Sequence, residues 1–234
     1  MILARLAEEW EKSEGKIRMI LHKSFAANEK GSDSRVRKYV TPTDYKIHPD
    51  GSVEFYTSVE MVDPHRKVPI KIREAHSGLN LNGVNLTSLE GCPRTVGGMF
   101  RIDGNPNLKS LLHCPTFCGS INALRCGLTT VEHGPTTVQR DYNIAGNRLT
   151  TLKHLPDGFE NLMLTYYDDL PLLKIPTIKG LKNVIWLDER GYNTNFPDRQ
   201  VEDLIDDMVG AGRPGAIELQ RALMNWGLEK NARY

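Results

Sequence analysis

The length, composition and charge of the chain exclude several classes of protein. Its 234 residues are 39% hydrophobic and 25% charged, and the formal net charge is +1. A chain of this length can bury a substantial core in one or two domains. A near-neutral chain without a clustered basic surface has no general attraction to nucleic acid or anionic lipid, and no apolar run reaches the length of a membrane span. We therefore expect neither a membrane nor a nucleic acid as partner.

The N-terminal segment, residues 1–38, predicts a helix followed by a polar linker. Residues 2–24 carry a helical stripe of apolar side chains: Leu3, Leu6, Trp10, Ile17, Ile20 and Leu21. Residues 26–38 are polar and rich in turn-forming residues, which is typical of a mobile linker. We expect the helix to be semi-independent of the rest of the chain.

The start of the chain and its cysteines favour a cytoplasmic protein. Glu8 and Glu9 fall within the N-terminal helical pattern, which does not fit a signal peptide. The four cysteines are too few for a disulfide framework, and three of them, Cys92, Cys114 and Cys126, occupy repeat positions. We expect reduced, structural thiols.

Residues 39–78 predict a β-hairpin cap and a degenerate first repeat. Asp50 and Gly51 lie between Ile47 and Val53, and an Asp-Gly pair is a common hairpin turn. The apolar residues that follow the hairpin are spaced like one weak repeat.

Residues 79–197 contain an internal repeat marked by prolines at intervals of 20–22 residues: Pro93, Pro115, Pro135, Pro156 and Pro176. Each proline stands four residues after an apolar residue: Leu89, Leu111, Val131, Leu152 and Leu172. A fixed period near 21 that combines a short apolar strand with a turn is typical of a leucine-rich solenoid, in which stacked units bury a shared core.

Each repeat also contains a short alternating pattern typical of a strand. The inward positions are Leu79 and Leu81, Phe100 and Ile102, Ile121 and Ala123, Tyr142 and Ile144, and Leu162 and Leu164. They predict one parallel sheet, in sequence order, with strands near residues 79–82, 100–103, 121–124, 142–145 and 162–165.

Three residues beyond the second inward position of three repeats stand Asn105, Cys126 and Asn147. We expect the polar side chain at this position to satisfy backbone groups of the neighbouring turn.

Residues 198–234 predict a C-terminal helical cap. Asp198 is a favourable N-cap for a helix that runs to about Val209, and a second helix starts at Pro214 and ends at Gly227. The terminal units of a solenoid need such a cover. The expected fold class is therefore an α/β repeat: a leucine-rich-repeat-like solenoid with a parallel sheet, an N-terminal helix, a β-hairpin cap and C-terminal capping helices.

Three phrases carry a family resemblance: Leu86-Thr-Ser-Leu-Glu-Gly-Cys-Pro93, Val96-Gly-Gly98 and Asn147-Arg-Leu-Thr-Thr-Leu152. They resemble the repeats of the small leucine-rich proteins encoded by tailed bacteriophages. The hairpin that opens at Tyr45 and the closing helix and tail are similar too, so the resemblance covers about residues 45–234. It implies a solenoid fold, a phage origin and the host cytoplasm as location. Because most members of that family carry no assigned activity, it implies no reaction.

The outward positions of the predicted strands form a candidate protein-binding face. Its central residues are Asn80, Arg101, Asn122, Asn143 and Met163, with Asp141 beside them. The flanking rows hold Met99, Ser120 and Asn161 on one side and Asn82, Asp103, Leu124, Ala145 and Thr165 on the other. A rigid polar face of this kind binds a protein with little loss of ordering entropy. The alternative interpretation is an ordinary solvated sheet face.

Three histidines, His113, His133 and His154, each stand two residues before a repeat proline. Because neighbouring strands are about 4.8 Å apart, these side chains are expected to form a column along one edge of the solenoid. Imidazole binds Zn²⁺ and Ni²⁺, but a closed site needs converging ligands and a fourth partner. We therefore expect a solvated column with no metal and no cofactor, and metal binding is the alternative.

These patterns favour a non-enzymatic protein that binds a host or phage protein through the strand face, and inhibition of a host enzyme is one outcome of such binding. Acidic pairs such as Asp206 and Asp207 are expected to be solvated, and the spacing of the residues justifies no nucleophile with its base. One alternative is a structural or assembly component of the phage particle. A second alternative is a metal-binding enzyme that uses the histidine column. The patterns predict no oligomeric state.

Overall fold

Short strands and three α-helices build the described part of the chain, residues 2–27, 38–194 and 196–233 of a computed structural model. The helices are α1 (Ile2–Ser24), α2 (Arg199–Met208) and α3 (Gly212–Asn225), and a 3₁₀ helix spans Ile175–Thr177. The strands are β1 (Phe25–Ala27), β2 (Lys38–Tyr39), β3 (Tyr45–Ile47), β4 (Val53–Phe55), β5 (Val59–Met61), β6 (Ile72–Ala75), β7 (Leu79–Asn80), β8 (Thr95–Arg101), β9 (Phe117–Asn122), β10 (Thr137–Val138), β11 (Asp141–Asn143), β12 (Asn161–Leu164) and β13 (Asn183–Trp186). No helix in these ranges is long and apolar enough to cross a membrane.

The main sheet follows the order of the sequence. β5, β7, β8, β9, β11, β12 and β13 pair in parallel, each with the corresponding strand of the next turn of the chain. The chain is therefore a parallel-sheet β-solenoid. The predicted order of the five central strands is confirmed.

A second parallel ladder, which the sequence pattern does not predict, runs beside the main one. It consists of β4, β6, the first residues of β8 and β9, and β10. The corner between the two ladders is tight, because a Cβ atom on Gly97 would collide with the carbonyl oxygen of His76. One turn later, a Cβ atom on Gly119 would lie 2.9 Å from the carbonyl oxygen of Gly98. Glycine therefore stands where the backbones of successive turns approach most closely.

The apolar repeat positions form the core. Leu89, Leu111, Val131, Leu152 and Leu172 are each 0% exposed, and the ten inward strand positions are at most 1% exposed. All of them belong to one continuous cluster of buried side chains. Each fully buried leucine contributes about 1.5 to 3 kcal/mol of transfer free energy, so the stacked columns supply the main stabilisation of the solenoid.

The polar ladder is confirmed at all three predicted positions. Asn105 accepts the N–H of Leu86 at 2.9 Å, and its amide group donates to backbone carbonyl oxygens of its own turn and of the preceding turn. The thiol of Cys126 donates to the carbonyl oxygen of Ile102 at 3.0 Å. Asn147 repeats the pattern one turn later.

The N-terminal helix is joined to the solenoid, which differs from the expectation of a semi-independent segment. Leu21, near the end of α1, and Phe25 in β1 are both 0% exposed. β1 pairs antiparallel with β5, and the ring centroids of Phe25 and Phe55 lie 5.5 Å apart. The end of α1 and β1 therefore cover the first turn. Of the predicted linker, residues 28–37 lie outside the described residues.

The predicted hairpin is confirmed. β3 and β4 pair antiparallel, with Tyr45 opposite Phe55. Gly51 adopts a positive φ of 76° in the turn. The carboxylate of Asp50 accepts hydrogen bonds from the hydroxyl and the N–H of Ser52, which lowers the pKa of Asp50.

The C-terminal helices cover the last turns. Asp198 caps α2 by accepting the N–H of Gln200 at 2.9 Å, as predicted, whereas α3 begins two residues earlier than predicted. The two helices bury an apolar set: Val201, Ile205, Ala216, Leu219 and Leu223. The tail completes the cover, because the side chain of Asn231 is buried and donates to the carbonyl oxygen of Leu170 at 2.8 Å.

Candidate functional site

The register of the main sheet brings the predicted central residues together. Asn80 pairs with Arg101, Arg101 with Asn122, Asn122 with Asn143, and Asn143 with Met163. We call these five residues the central row. Parallel strands are about 4.8 Å apart, so the central row spans five successive turns of the solenoid.

The asparagines of the central row are held in one orientation by the backbone. The side-chain oxygens of Asn80, Asn122 and Asn143 each accept the N–H two residues further along, at 3.1, 3.2 and 3.1 Å. This is the usual local bonding of asparagine at a turn. It leaves the amide nitrogens as the groups that donate outward.

Asp141, the sixth predicted site residue, lies in the flanking row and holds it together. Its Oδ2 accepts the hydroxyl of Ser120 at 3.1 Å, and its Oδ1 accepts the amide of Asn161 at 2.7 Å. Asn183 extends the network one turn further by donating to Asn161 at 2.7 Å. Asp141 therefore fixes its neighbours, and both of its oxygens already accept hydrogen bonds within the chain.

Arg101 and Asp103 differ from the rest of the face because their charges are only loosely paired. The Nε of Arg101 lies 3.9 Å from Oδ1 of Asp103, and the two side chains are 44% and 20% exposed. Burial raises the pKa of Asp103, and the charge of Arg101 and a side-chain hydrogen bond with Asn82 oppose that rise. The guanidinium of Arg101 is therefore the more accessible charge of the two.

Part of the predicted outer flank is covered by the chain itself. Residues 188–193, which we call the return loop, fold back after β13 and are closed by a bridge between Leu187 and Asn193. A Cβ atom on Gly191 would lie 2.8 Å from the side chain of Leu124. Ala145 and Thr165, which the sequence assigned to the outward flank, are 0% and 8% exposed. The accessible flank is therefore confined to the earlier turns, around Asp103.

The three predicted column histidines lie in exposed turns. His113 and His133 adopt positive φ angles of 70° and 64°, and His154 is exposed as well. Within the described ranges, their ring nitrogens join no set of three or more metal-binding groups whose ligand atoms lie within 4.8 Å of one another. The three imidazoles are therefore exposed side chains on three successive turns.

The four cysteines are free thiols. Burial raises the pKa of Cys118 and of Cys126 to about 12, and it also raises the pKa of Cys92 and Cys114. A thiol rather than a thiolate persists at neutral pH, and the thiolate is the reactive form. The cysteines therefore act as core residues.

Sequence reasoning missed one polar cluster, which consists of His48, Glu54, Glu74 and His76. It lies on the second ladder, where Glu54 of β4 and Glu74 of β6 are register partners. A signal exists in hindsight: Glu54 and Glu74 are 20 residues apart, close to the repeat period, and His48 and Glu54 flank the predicted hairpin turn. Because the second ladder was not predicted, nothing placed the four side chains together.

Comparison with protein-family models, with curated proteins and with solved structures found no match to the chain. Its function is therefore inferred from its own residues.

Proposed function

We propose that the chain is a non-enzymatic, phage-encoded protein of the leucine-rich-repeat type, which binds a host or phage protein in the host cytoplasm through the central row and the Arg101–Asp103 pair. Inhibition of a host enzyme would be one consequence of such binding.

The polar ladder supports the leucine-rich-repeat assignment. Asn105, Cys126 and Asn147 recur at one position of the repeat, and each bonds the backbone of a neighbouring turn. Together with the repeat period and the parallel sheet, this is the arrangement expected when each unit can bury its polar backbone only against the next unit.

The exposed guanidinium of Arg101 is the observation that carries the binding proposal. Its side chain is 44% exposed, and its Nε lies 3.9 Å from Oδ1 of Asp103, too far for a hydrogen bond. Arg101 can therefore offer donors to a carboxylate or carbonyl group of a partner. The pair therefore suits a protein surface that presents both donors and acceptors.

The central row adds rigid donors to this pair. The oxygens of Asn80, Asn122 and Asn143 are held by the backbone, so their amide groups lose little conformational freedom when a partner docks. Met163 adds an adaptable apolar contact at the far end of the row. A partner that contacts both ends would span five turns.

The test is affinity capture from a lysate of the bacterial host, followed by mass spectrometry. Wild-type protein is compared with the double variant Arg101→Glu, Met163→Glu, which alters only outward positions. We avoid Asp141 because its replacement would break the hydrogen bonds to Ser120 and Asn161. The proposal predicts a protein that is captured by the wild type and lost with this variant.

A matched control is Lys153→Glu with Leu112→Glu. It makes the same change of formal charge at one cationic and one apolar position, both exposed and both on the histidine-bearing turns. The control should capture the same protein as the wild type. Equal capture by all three proteins would contradict a role for the strand face, and recovery of the chain only with purified virions would favour a structural component of the particle.

A further inference from the structure

The carboxylate of Glu54 is held between two imidazoles. Its Oε1 lies 2.7 Å from Nε2 of His76, and its Oε2 lies 2.8 Å from Nε2 of His48. The side chains of Glu54 and His48 are 18% and 15% exposed. Three separate segments of the chain therefore meet at one carboxylate: the residue after β3, β4 itself, and the residue after β6.

A second carboxylate faces the first. Glu74 in β6 is the register partner of Glu54 in β4, on the neighbouring parallel strand. Its Oε1 lies 3.8 Å from Nδ1 of His76. Like charges directly opposite each other on adjacent strands are destabilising, and the imidazole of His76 lies close to both carboxylates.

The ligand atoms of these residues converge. Glu54, Glu74 and His76 each offer one ligand atom, and the three atoms lie within 4.8 Å of one another, which no other set of three in the described ranges achieves. The ring of Tyr56 stacks against that of His76 at a centroid distance of 5.6 Å and an angle of 21°. Tyr56 therefore packs against one face of the imidazole.

We propose that Glu54, Glu74 and His76 form a zinc-binding site, with His48 as the residue that orients Glu54. Carboxylate oxygen and imidazole nitrogen are zinc ligands, and three protein ligands with one open position for water are a common set. Two carboxylates and a neutral imidazole also balance the charge of a divalent cation. The N–H that His48 donates to Oε2 of Glu54 is the kind of outer contact that fixes a ligating carboxylate.

Zinc binding requires a small rearrangement. Ligand atoms around a tetrahedral zinc ion are roughly 3.4 Å apart, since each bond is roughly 2.1 Å long. The contact between Glu54 and His76 must therefore open, and Glu74 must approach. The side chains of His76 and Glu74 are 44% and 41% exposed, so they can turn without disturbing the core.

The site would fasten the N-terminal hairpin to the next turn of the solenoid. Glu54 belongs to β4 of the hairpin, whereas Glu74 and His76 belong to the turn that follows it. An ion that binds only the folded chain raises the free energy of unfolding by RT ln(1 + c/Kd), where c is the concentration of the free ion. Zinc should therefore raise the midpoint temperature of unfolding.

The test is a titration of zinc ions alone into the full-length, chelator-treated chain, followed by isothermal titration calorimetry. We expect one ion per chain. Glu74→Gln, which removes a half-exposed ligand, should weaken binding at least about tenfold, and His48→Gln should weaken it by about 10- to 100-fold through the lost orienting contact. His133→Ala, on the exposed histidine column, is the control and should bind zinc as the wild type does.

A second readout uses the unaltered chain and so does not depend on how any variant folds. In a zinc titration followed by NMR, the imidazole signals of His76 should change while those of His113 stay in place. The proposal is overturned if zinc shows no saturable binding, if Glu74→Gln binds as tightly as the wild type, or if His133→Ala abolishes binding. Displacement of zinc by an equal concentration of calcium would also overturn it, because calcium prefers oxygen ligands alone.

Discussion

Asn147 closes the turn that contains Cys126. Its side-chain oxygen accepts the N–H of Cys126 at 3.0 Å and that of Leu128 at 3.0 Å. Its amide group donates to the carbonyl oxygens of Ala123 and Ile144 at 2.8 and 2.9 Å. Asn147 is 2% exposed, so water cannot replace these bonds when the side chain is removed. One side chain therefore connects two successive turns of the solenoid.

Replacement of Asn147 should be among the most damaging single changes in the chain. Asn147→Ala leaves several buried backbone groups unpaired, at about 1 to 3 kcal/mol each, so we expect a loss of at least about 3 kcal/mol in the free energy of unfolding. The control is Asn143→Ala, because Asn143 is half-buried and its side chain makes one local bond. Urea unfolding of both variants checks this, and equal losses would contradict the structural role of the ladder.

The apolar columns should respond to truncation as a packed core does. Leu89→Ala and Leu152→Ala each open a cavity in the solenoid, and we expect each to cost about 2 to 5 kcal/mol. Leu112→Ala is the control, because Leu112 is 51% exposed and should change stability by under about 0.5 kcal/mol. Thermal unfolding followed by circular dichroism measures all three. A shift within experimental noise at either buried site would show that the column is not core.

Asp103 should lower the stability of the free protein at neutral pH. Burial raises the pKa of Asp103 in the folded state, so the folded chain binds a proton more tightly than the unfolded chain does. The charged carboxylate therefore lowers the stability of the folded chain, and this loss appears as pH rises through the folded pKa. Asp103→Asn should therefore be more stable than the wild type at pH 7, and the difference should vanish near or below about pH 4. Unfolding free energies measured across this range test the sign. A less stable variant at neutral pH would contradict it.

Asp188 should behave in the opposite way and serves as the internal comparison. Its carboxylate accepts the N–H groups of Tyr192 and Arg190 at 2.9 and 2.8 Å, and these bonds lower its pKa. Its stabilising contribution is therefore present above the unfolded pKa and is lost as pH falls through the folded pKa. Asp188→Asn should lose stability at neutral pH and approach the wild type in acid. The same titration series measures both variants.

Both ends of the chain should be required for a soluble solenoid. Deletion of residues 198–234 exposes the last turn, and we expect aggregation. Deletion of residues 1–27 should act in the same way, because it removes Phe25 from the first turn. Deletion of residues 1–15 is the control and should leave a sharp thermal transition, since Leu21 and β1 remain. A well-folded chain without residues 198–234 would remove the cap assignment.

The main sheet and its core could be predicted from the sequence because both repeat. The spacing of the prolines fixes the register, and a shared register dictates that Leu89 and Leu111 stack and that Asn105 and Asn147 occupy equivalent turns. The central row follows from the same argument, since outward positions alternate with inward ones along a strand. The sequence therefore predicted the face as a surface without showing which of its groups are already bonded.

The remaining features depend on contacts that leave no local signal. Gly191 in the return loop lies against the side chain of Leu124, although it is 67 residues further along the chain. No repeat relates the two positions. In the second ladder, β4 and β6 have only three and four residues, too few to show a period, so the convergence of Glu54 and His76 was not visible. The packing of α1 was missed because polar residues such as Glu11 and Lys12 are exposed while Leu21, near its end, is buried.

The central claim, that the strand face binds a protein, is tested most directly by photo-crosslinking. A photoreactive phenylalanine derivative is placed at Met163 in one variant and at Leu112 in another, and each variant is irradiated in the lysate that supplies the partner. The account predicts a covalent adduct of one defined protein from position 163 and no such adduct from position 112. An adduct from position 112 alone, or from neither position while capture persists, would contradict it.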